Sequence, residues 1–129
     1  MRLKWIKTLF VICGLYDGLL GLLFFFGHER IFALFGVEPA NHPAYVEFPA
    51  ILLVVFGAMF LHISTDPIRL RAMMPYGMAL KVAYAGMAFW YQLTIGIPGM
   101  WLPWAWFDLL FLIAFVIAWR AVPRLRAAS

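Results

Sequence analysis

Three charged side chains interrupt long apolar stretches of this sequence: Asp17, Lys81 and Asp108. About 20 apolar residues in a helix are enough to cross the roughly 30 Å hydrocarbon core of a bilayer. On insertion scales, an ionised Asp or Lys at the centre of such a helix costs about 2.5 to 3.5 kcal/mol. We therefore expect the three side chains to face protein or water, and in the simplest arrangement they face one another.

The helical rise of 1.5 Å per residue places the three charges at compatible depths. Counted along the sequence, Asp17 lies about 15 Å inside one edge of the membrane and the Lys81 backbone about 9 Å inside the same edge. Asp108 lies about 10 Å inside the opposite edge. If the three helices adjoin, Lys81 can meet Asp17 near the midplane, with Asp108 somewhat above. Tyr16 and Tyr84 are close enough along the chain to add a hydroxyl to this predicted polar cluster.

Two carboxylates and one ammonium leave one negative charge when all are ionised. An unpaired carboxylate in a low dielectric tends to hold a proton or to pair with a cation from outside the chain. The cluster therefore has two interpretations. It could be a structural ion pair that fixes which helix faces which. It could also be a site for a ligand, proton or ion, because ionisable groups inside membranes are functional candidates.

The composition predicts a membrane protein. Of the 129 residues 66% are hydrophobic and 12% charged, whereas soluble domains carry about 25% charged residues. Four windows are long and apolar enough to span: residues 8–26, 48–64, 75–93 and 101–119. We expect an all-α fold, a four-transmembrane-helix bundle, with one membrane domain over residues 1–129. The first window ends in Phe24–Gly27 rather than in small residues, so we expect it to be retained and not cleaved as a signal peptide.

Lysine and arginine predict the direction of the spans. Eight of the ten basic residues fall on one side of the membrane, namely Arg2, Lys4, Lys7, Arg69, Arg71, Arg120, Arg124 and Arg126. By the positive-inside rule that side is cytoplasmic, which puts both termini in the cytoplasm. The net charge of +4 is thus a topology signal, and we expect no nucleic-acid partner.

The connection over residues 27–47 would lie outside. Its stretch Glu29–Gly36 alternates poorly for a strand but places Ile31, Phe32 and Phe35 on one side of a helix. That pattern predicts a short interfacial helix in the first outer loop.

The sequence predicts no cofactor, no metal and no catalytic residue. His28 and His42 lie near outer carboxylates without a compact ligand spacing, and His62 has no histidine at matching depth for haem. Cys13 is the only cysteine, so disulfide exchange has no resolving partner. An enzyme is therefore the less favoured interpretation.

Short elements in the same order resemble the DoxX-like group of small four-helix bacterial membrane proteins. They are Gly14–Gly18, Phe35–Val37 with Pro39, Asp66–Arg71, Lys81 and Asp108–Phe111. The resemblance implies the bacterial cytoplasmic (inner) membrane and a largely uncharacterised group, some of whose members are membrane subunits of quinone-dependent oxidation systems. The cysteine pairs of redox relatives are absent here, and no catalytic residue carries over.

These observations favour two functions. The first is a non-catalytic accessory subunit or lipid- or quinone-binding module, surrounded by membrane lipids and associated with another membrane protein or with a second copy of itself. The alternative is a small proton- or cation-coupled transporter that uses the same cluster, which requires a water path to Asp17 or Asp108. A membrane enzyme acting on a lipid or quinone is a weaker third, because no nucleophile or metal set is visible.

Overall fold

The computed structural model describes residues 2–128, with side chains over residues 3–124. The side chains of Arg2 and Arg126, used above for the topology, lie outside the described ones. The described chain is all-helical and forms α1 (Arg2–Leu34), α2 (Ala44–Thr65), α3 (Met74–Thr94) and α4 (Leu102–Ala128). One-turn 3-10 helices over Arg71–Met73 and Gly99–Trp101 lead into α3 and α4.

Three of the four long helices are apolar enough to cross a membrane, with candidate spans Leu3–Leu34, Ala44–Thr65 and Gly99–Arg124. The length and apolar composition of these helices are those of an integral membrane protein. α3 is long enough, since its 21 residues extend about 30 Å. Its mean hydropathy is lower because it carries Lys81 together with proline, tyrosines and glutamine.

α1 is longer than the first predicted span, at 33 residues. The separate interfacial helix expected over 29–36 is not formed, because residues 29–34 are the last turns of α1. Nothing between residues 8 and 34 is strong enough to end the helix, since a single Gly27 costs only about 1 kcal/mol. The helix ends where Gly36 takes a φ of 65°. There Val37 N donates to Phe32 O at 2.8 Å and Gly36 N to Ala33 O at 3.2 Å, which is a Schellman closure.

The helices form two antiparallel pairs, α1 with α2 and α3 with α4. α1 and α2 approach closely where glycines meet. A Cβ built on Gly57 would lie 2.7 Å from Gly14 O, and one built on Gly21 would lie 2.5 Å from Ala50 O. These neighbours are backbone atoms, so neither glycine can take a side chain without separating the helices.

Two apolar clusters lie at opposite ends of the molecule. We call the end where α1 begins and α4 ends the basal end, and the opposite one the distal end. The basal core is built on packed phenylalanine rings: Phe10 stacks on Phe115 with centroids 4.7 Å apart, and Phe60 is tilted against Phe115 with centroids 5.1 Å apart. The distal cluster is smaller and contains Phe24, Phe32, Ala50 and Met100.

We expect Gly57→Ala to lower the thermal unfolding midpoint in detergent, because its methyl group meets the backbone of Gly14 and Gly18. Overpacking of this kind costs about 1 to 3 kcal/mol. Gly86→Ala is the matched control, since a Cβ there meets nothing within 4 Å and alanine has the better helix propensity. Equal midpoints for the two variants would contradict the close approach of α1 and α2.

Candidate functional site

The Lys81 ammonium lies between two carboxylates from two other helices. Its Nζ donates to Asp17 Oδ1 and Oδ2, at 2.8 Å each, and to Asp108 Oδ1 at 3.0 Å. The exposed fractions are 0% for Lys81, 1% for Asp17 and 6% for Asp108. The structure thus brings the three charged residues from α1, α3 and α4 into one buried group, here called the ion cluster.

The surroundings of Lys81 compensate the loss of water. Three N–H donors meet three carboxylate oxygens, and hydrogen bonds between charged groups are about twice as strong as neutral ones. The rings of Tyr16, Phe60 and Phe111 lie 5.4 to 5.7 Å from Nζ, within range of a cation–π attraction. A buried ammonium is tolerated only with such partners.

The two carboxylates of the ion cluster are not equivalent. Both oxygens of Asp17 accept from Lys81, whereas Asp108 accepts only through Oδ1. Asp108 Oδ2 has no hydrogen-bond partner among the described residues. When all three groups are ionised, one ammonium faces two carboxylates, and the negative charge that is left over is concentrated at Asp108.

Neither tyrosine gives its hydroxyl to the ion cluster, contrary to the expectation from sequence. Tyr84 O–H donates to the carbonyl oxygen of Trp101 at 2.8 Å and so ties α3 to the turn before α4. The Tyr16 hydroxyl is buried without a partner among the described residues. Tyr16 contributes the face of its ring instead, with its centroid 5.7 Å from Lys81 Nζ.

A cavity of about 520 Å³ runs from the ion cluster toward the distal end, between the two helix pairs. Asp17, Asp108 and Tyr84 lie at its deep end, and Glu38 and Tyr45 lie near its mouth. The walls between them are almost entirely apolar, with Leu20, Phe24, Phe32, Val46, Ala50, Leu53, Trp101 and Trp104. The volume is within the range of about 300 to 1,000 Å³ that is typical of small-molecule sites.

One wall residue carries an unused donor. Trp104 Nε1 is buried and has no hydrogen-bond partner in the part of the chain that the structure describes. Its ring packs edge-on against Phe24, with centroids 6.4 Å apart. A buried donor left unpaired costs about 1 to 3 kcal/mol.

One polar contact at each end of the molecule joins the two helices of a pair. At the distal end His28 Nε2 lies 3.3 Å from Glu47 Oε2 and joins the end of α1 to the start of α2. At the basal end Arg71 Nε donates to Trp119 O at 2.8 Å, and its guanidinium lies 4.0 Å from the centre of the Trp119 ring. Sequence reasoning missed both contacts and the cavity, because no motif marks any of them.

Histidine, cysteine and carboxylate side chains form no group of three or more that could hold a metal ion, as far as the described residues go. No family model, curated protein or solved structure matches the chain. The interpretation of the site therefore depends on its own geometry.

The unequal roles in the ion cluster predict an order of stabilities. Lys81→Met should destabilise the protein most, by about 3 to 5 kcal/mol, because it leaves two buried carboxylates without a counter-charge. Asp17→Asn should cost less, and Asp108→Asn least, since the latter keeps the doubly bonded Asp17–Lys81 pair and removes the excess charge. Thermal or denaturant unfolding in one detergent would measure this order. A larger loss for Asp108→Asn than for Asp17→Asn would contradict it.

Proposed function

We propose that this protein is a non-catalytic integral membrane protein that binds a lipid or quinone in the cavity between its helix pairs. The observation that carries the proposal is the apolar cavity of about 520 Å³ that ends at Asp17 and Asp108. A hydrocarbon tail suits the walls formed by Leu20, Phe24 and Leu53. A polar head at the deep end would meet Asp108 Oδ2, which has no other hydrogen-bond partner among the described residues.

The proposal includes four spans, with α3 as the fourth. In support, the charge that lowers the mean hydropathy of α3 is that of Lys81, which is 0% exposed and paired, so lipid would not meet it. The basic residues then argue for cytoplasmic termini. Membership of the DoxX-like group, and with it the bacterial inner membrane, is part of the same proposal and depends on the short motifs described above.

An accessory role fits the outer surface of the helices. Large apolar side chains are exposed along α1, α2 and α4, among them Leu19, Val55 and Leu110. Membrane lipids would cover most of this surface. Another membrane protein, or a second copy of the chain, would bind to part of it and make the protein a subunit of a larger assembly.

Proton or cation transport is the second candidate, and one observation favours it. The uncompensated charge at Asp108 lies at the end of a cavity, where a proton or cation could reach it. However, transport needs a second opening, and the basal side of the ion cluster is filled by Phe10, Phe60 and Phe115, all fully buried. Binding needs only the opening that the structure has, so we rank it first.

We expect the wild-type protein, extracted from its own membrane in mild detergent, to retain a lipid or quinone in native mass spectrometry. Leu20→Trp should lose this ligand, because Leu20 lines the cavity and the larger ring fills it. Leu19→Trp is the matched control, since Leu19 is the next residue on α1, is 63% exposed and faces away from the cavity. A wild-type protein with nothing bound, or equal ligand retention in both variants, would refute the proposal.

In liposomes we expect no proton or cation flux above that of empty vesicles, because the packed basal core separates the cavity from the other side. A pH-sensitive dye inside the vesicles, with an imposed potential, measures this. A flux in the wild type that Asp17→Asn or Asp108→Asn abolishes would favour the transporter instead.

A further inference from the structure

We infer that the cavity selects a hydrophobic cation, an amphiphile with an ammonium-type head, over neutral or anionic molecules of the same size. The inference rests on the proposed function, because it requires the cavity to be a binding site. It adds to the proposed function that the ligand carries a positive charge.

The first argument is the charge around the cavity. Its lining contains three acidic residues, Asp17, Glu38 and Asp108, and no lysine or arginine. The Lys81 ammonium is not among the lining residues and is shared between Asp17 and Asp108. It can neutralise one of them only. When all three groups are ionised, a molecule in the deep end therefore meets a net negative charge, in an apolar environment where charges interact more strongly than in water.

The second argument is the geometry at Asp108. Its carboxylate is buried, and Oδ1 already accepts a hydrogen bond from Lys81. Oδ2 has no partner among the described residues, and the side chain lines the cavity. An ammonium head placed there would complete a chain of alternating charges, Asp17, Lys81, Asp108 and ligand. The excess charge would then be compensated without moving any helix.

The third argument is the aromatic wall. Phe24 and Trp101 stack with centroids 5.7 Å apart, and Phe32 meets Trp101 edge-on at 5.8 Å. Together with Tyr84 and Trp104 they surround the path from the mouth to Asp108. Aromatic faces attract ammonium groups by cation–π interaction, and quaternary ammonium ligands are commonly bound in such surroundings.

Other ligand charges fit less well. An anionic lipid head would lie beside Asp108 with no basic side chain in the cavity lining. A neutral molecule would leave the charge of Asp108 unpaired. We therefore expect the order of affinity cation, then neutral molecule, then anion.

The test uses the full-length protein in nanodiscs of zwitterionic lipid and three probes with the same alkyl chain: decyltrimethylammonium, 1-decanol and decyl sulfate. Saturable binding is measured by equilibrium dialysis, with empty nanodiscs subtracted. We expect the cation to bind about tenfold more tightly than decanol, since a charge pair in a low dielectric is worth at least that much. Decyl sulfate should show no saturable binding.

Variants separate the inference from the proposed function. Asp108→Asn should bring the cation down to the affinity of decanol, while Asp66→Asn, at an exposed acid on the basal side, should change nothing. Leu20→Trp should abolish both cation and decanol binding.

If all three probes bind equally to the wild type and Leu20→Trp blocks them, the cavity is a binding site and the charge selectivity is wrong. If no probe binds saturably, or Leu20→Trp has no effect, the proposed function fails as well. The comparison of probes on the wild type decides the matter even if Asp108→Asn does not fold.

Discussion

The three hydrogen bonds of the Lys81 ammonium fix the relative rotation of α1, α3 and α4. Apolar contact alone discriminates poorly between the faces of membrane helices, because lipid tails solvate a leucine about as well as another helix does. A buried ammonium removes this ambiguity, since only one rotation of each helix satisfies all three bonds. α2 carries no charge in its apolar stretch and is held differently, by the close backbone approach at Gly14 and Gly57. The fold thus combines one electrostatic constraint with one steric constraint.

The cavity follows from the way these two constraints act along the length of the molecule. The glycine contacts bring α1 and α2 together, while the distal part of the α3–α4 pair carries bulky Tyr84, Trp101 and Trp104. At the basal end, by contrast, fully buried phenylalanine rings pack against one another across the interior. The molecule is therefore closed on one side of the ion cluster and open on the other. A binding cavity on the distal side of the ion cluster is the result of that asymmetry.

Much of this arrangement can be read from the sequence, and the reasons differ by element. Helices close to windows 48–64 and 75–93 were predictable because long apolar runs have few alternatives. Pro75 lies in the first turn of α3, whereas α2 begins at Ala44 and has Pro49 inside it. The contact between Asp17, Lys81 and Asp108 was predictable because a buried charge needs a partner at the same level. The continuation of α1 to Leu34 was not, since its end depends on a glycine conformation at Gly36. The partner of Tyr84 depends on the shape of the turn at Gly99–Trp101, which no periodicity describes.

The length of α1 bears on how a ligand reaches the site. Its 33 residues extend about 50 Å, well beyond a hydrocarbon core of roughly 30 Å. Its last turns and the closure at Gly36 bring Phe32 and Val37 into the lining of the cavity, beside Glu38 near the mouth. The entrance would then lie among the lipid head groups rather than in bulk water. The fraction of protein with ligand bound would then depend on the amount of ligand dissolved in that leaflet. The partition of the ligand between water and bilayer would set its effective concentration at the entrance.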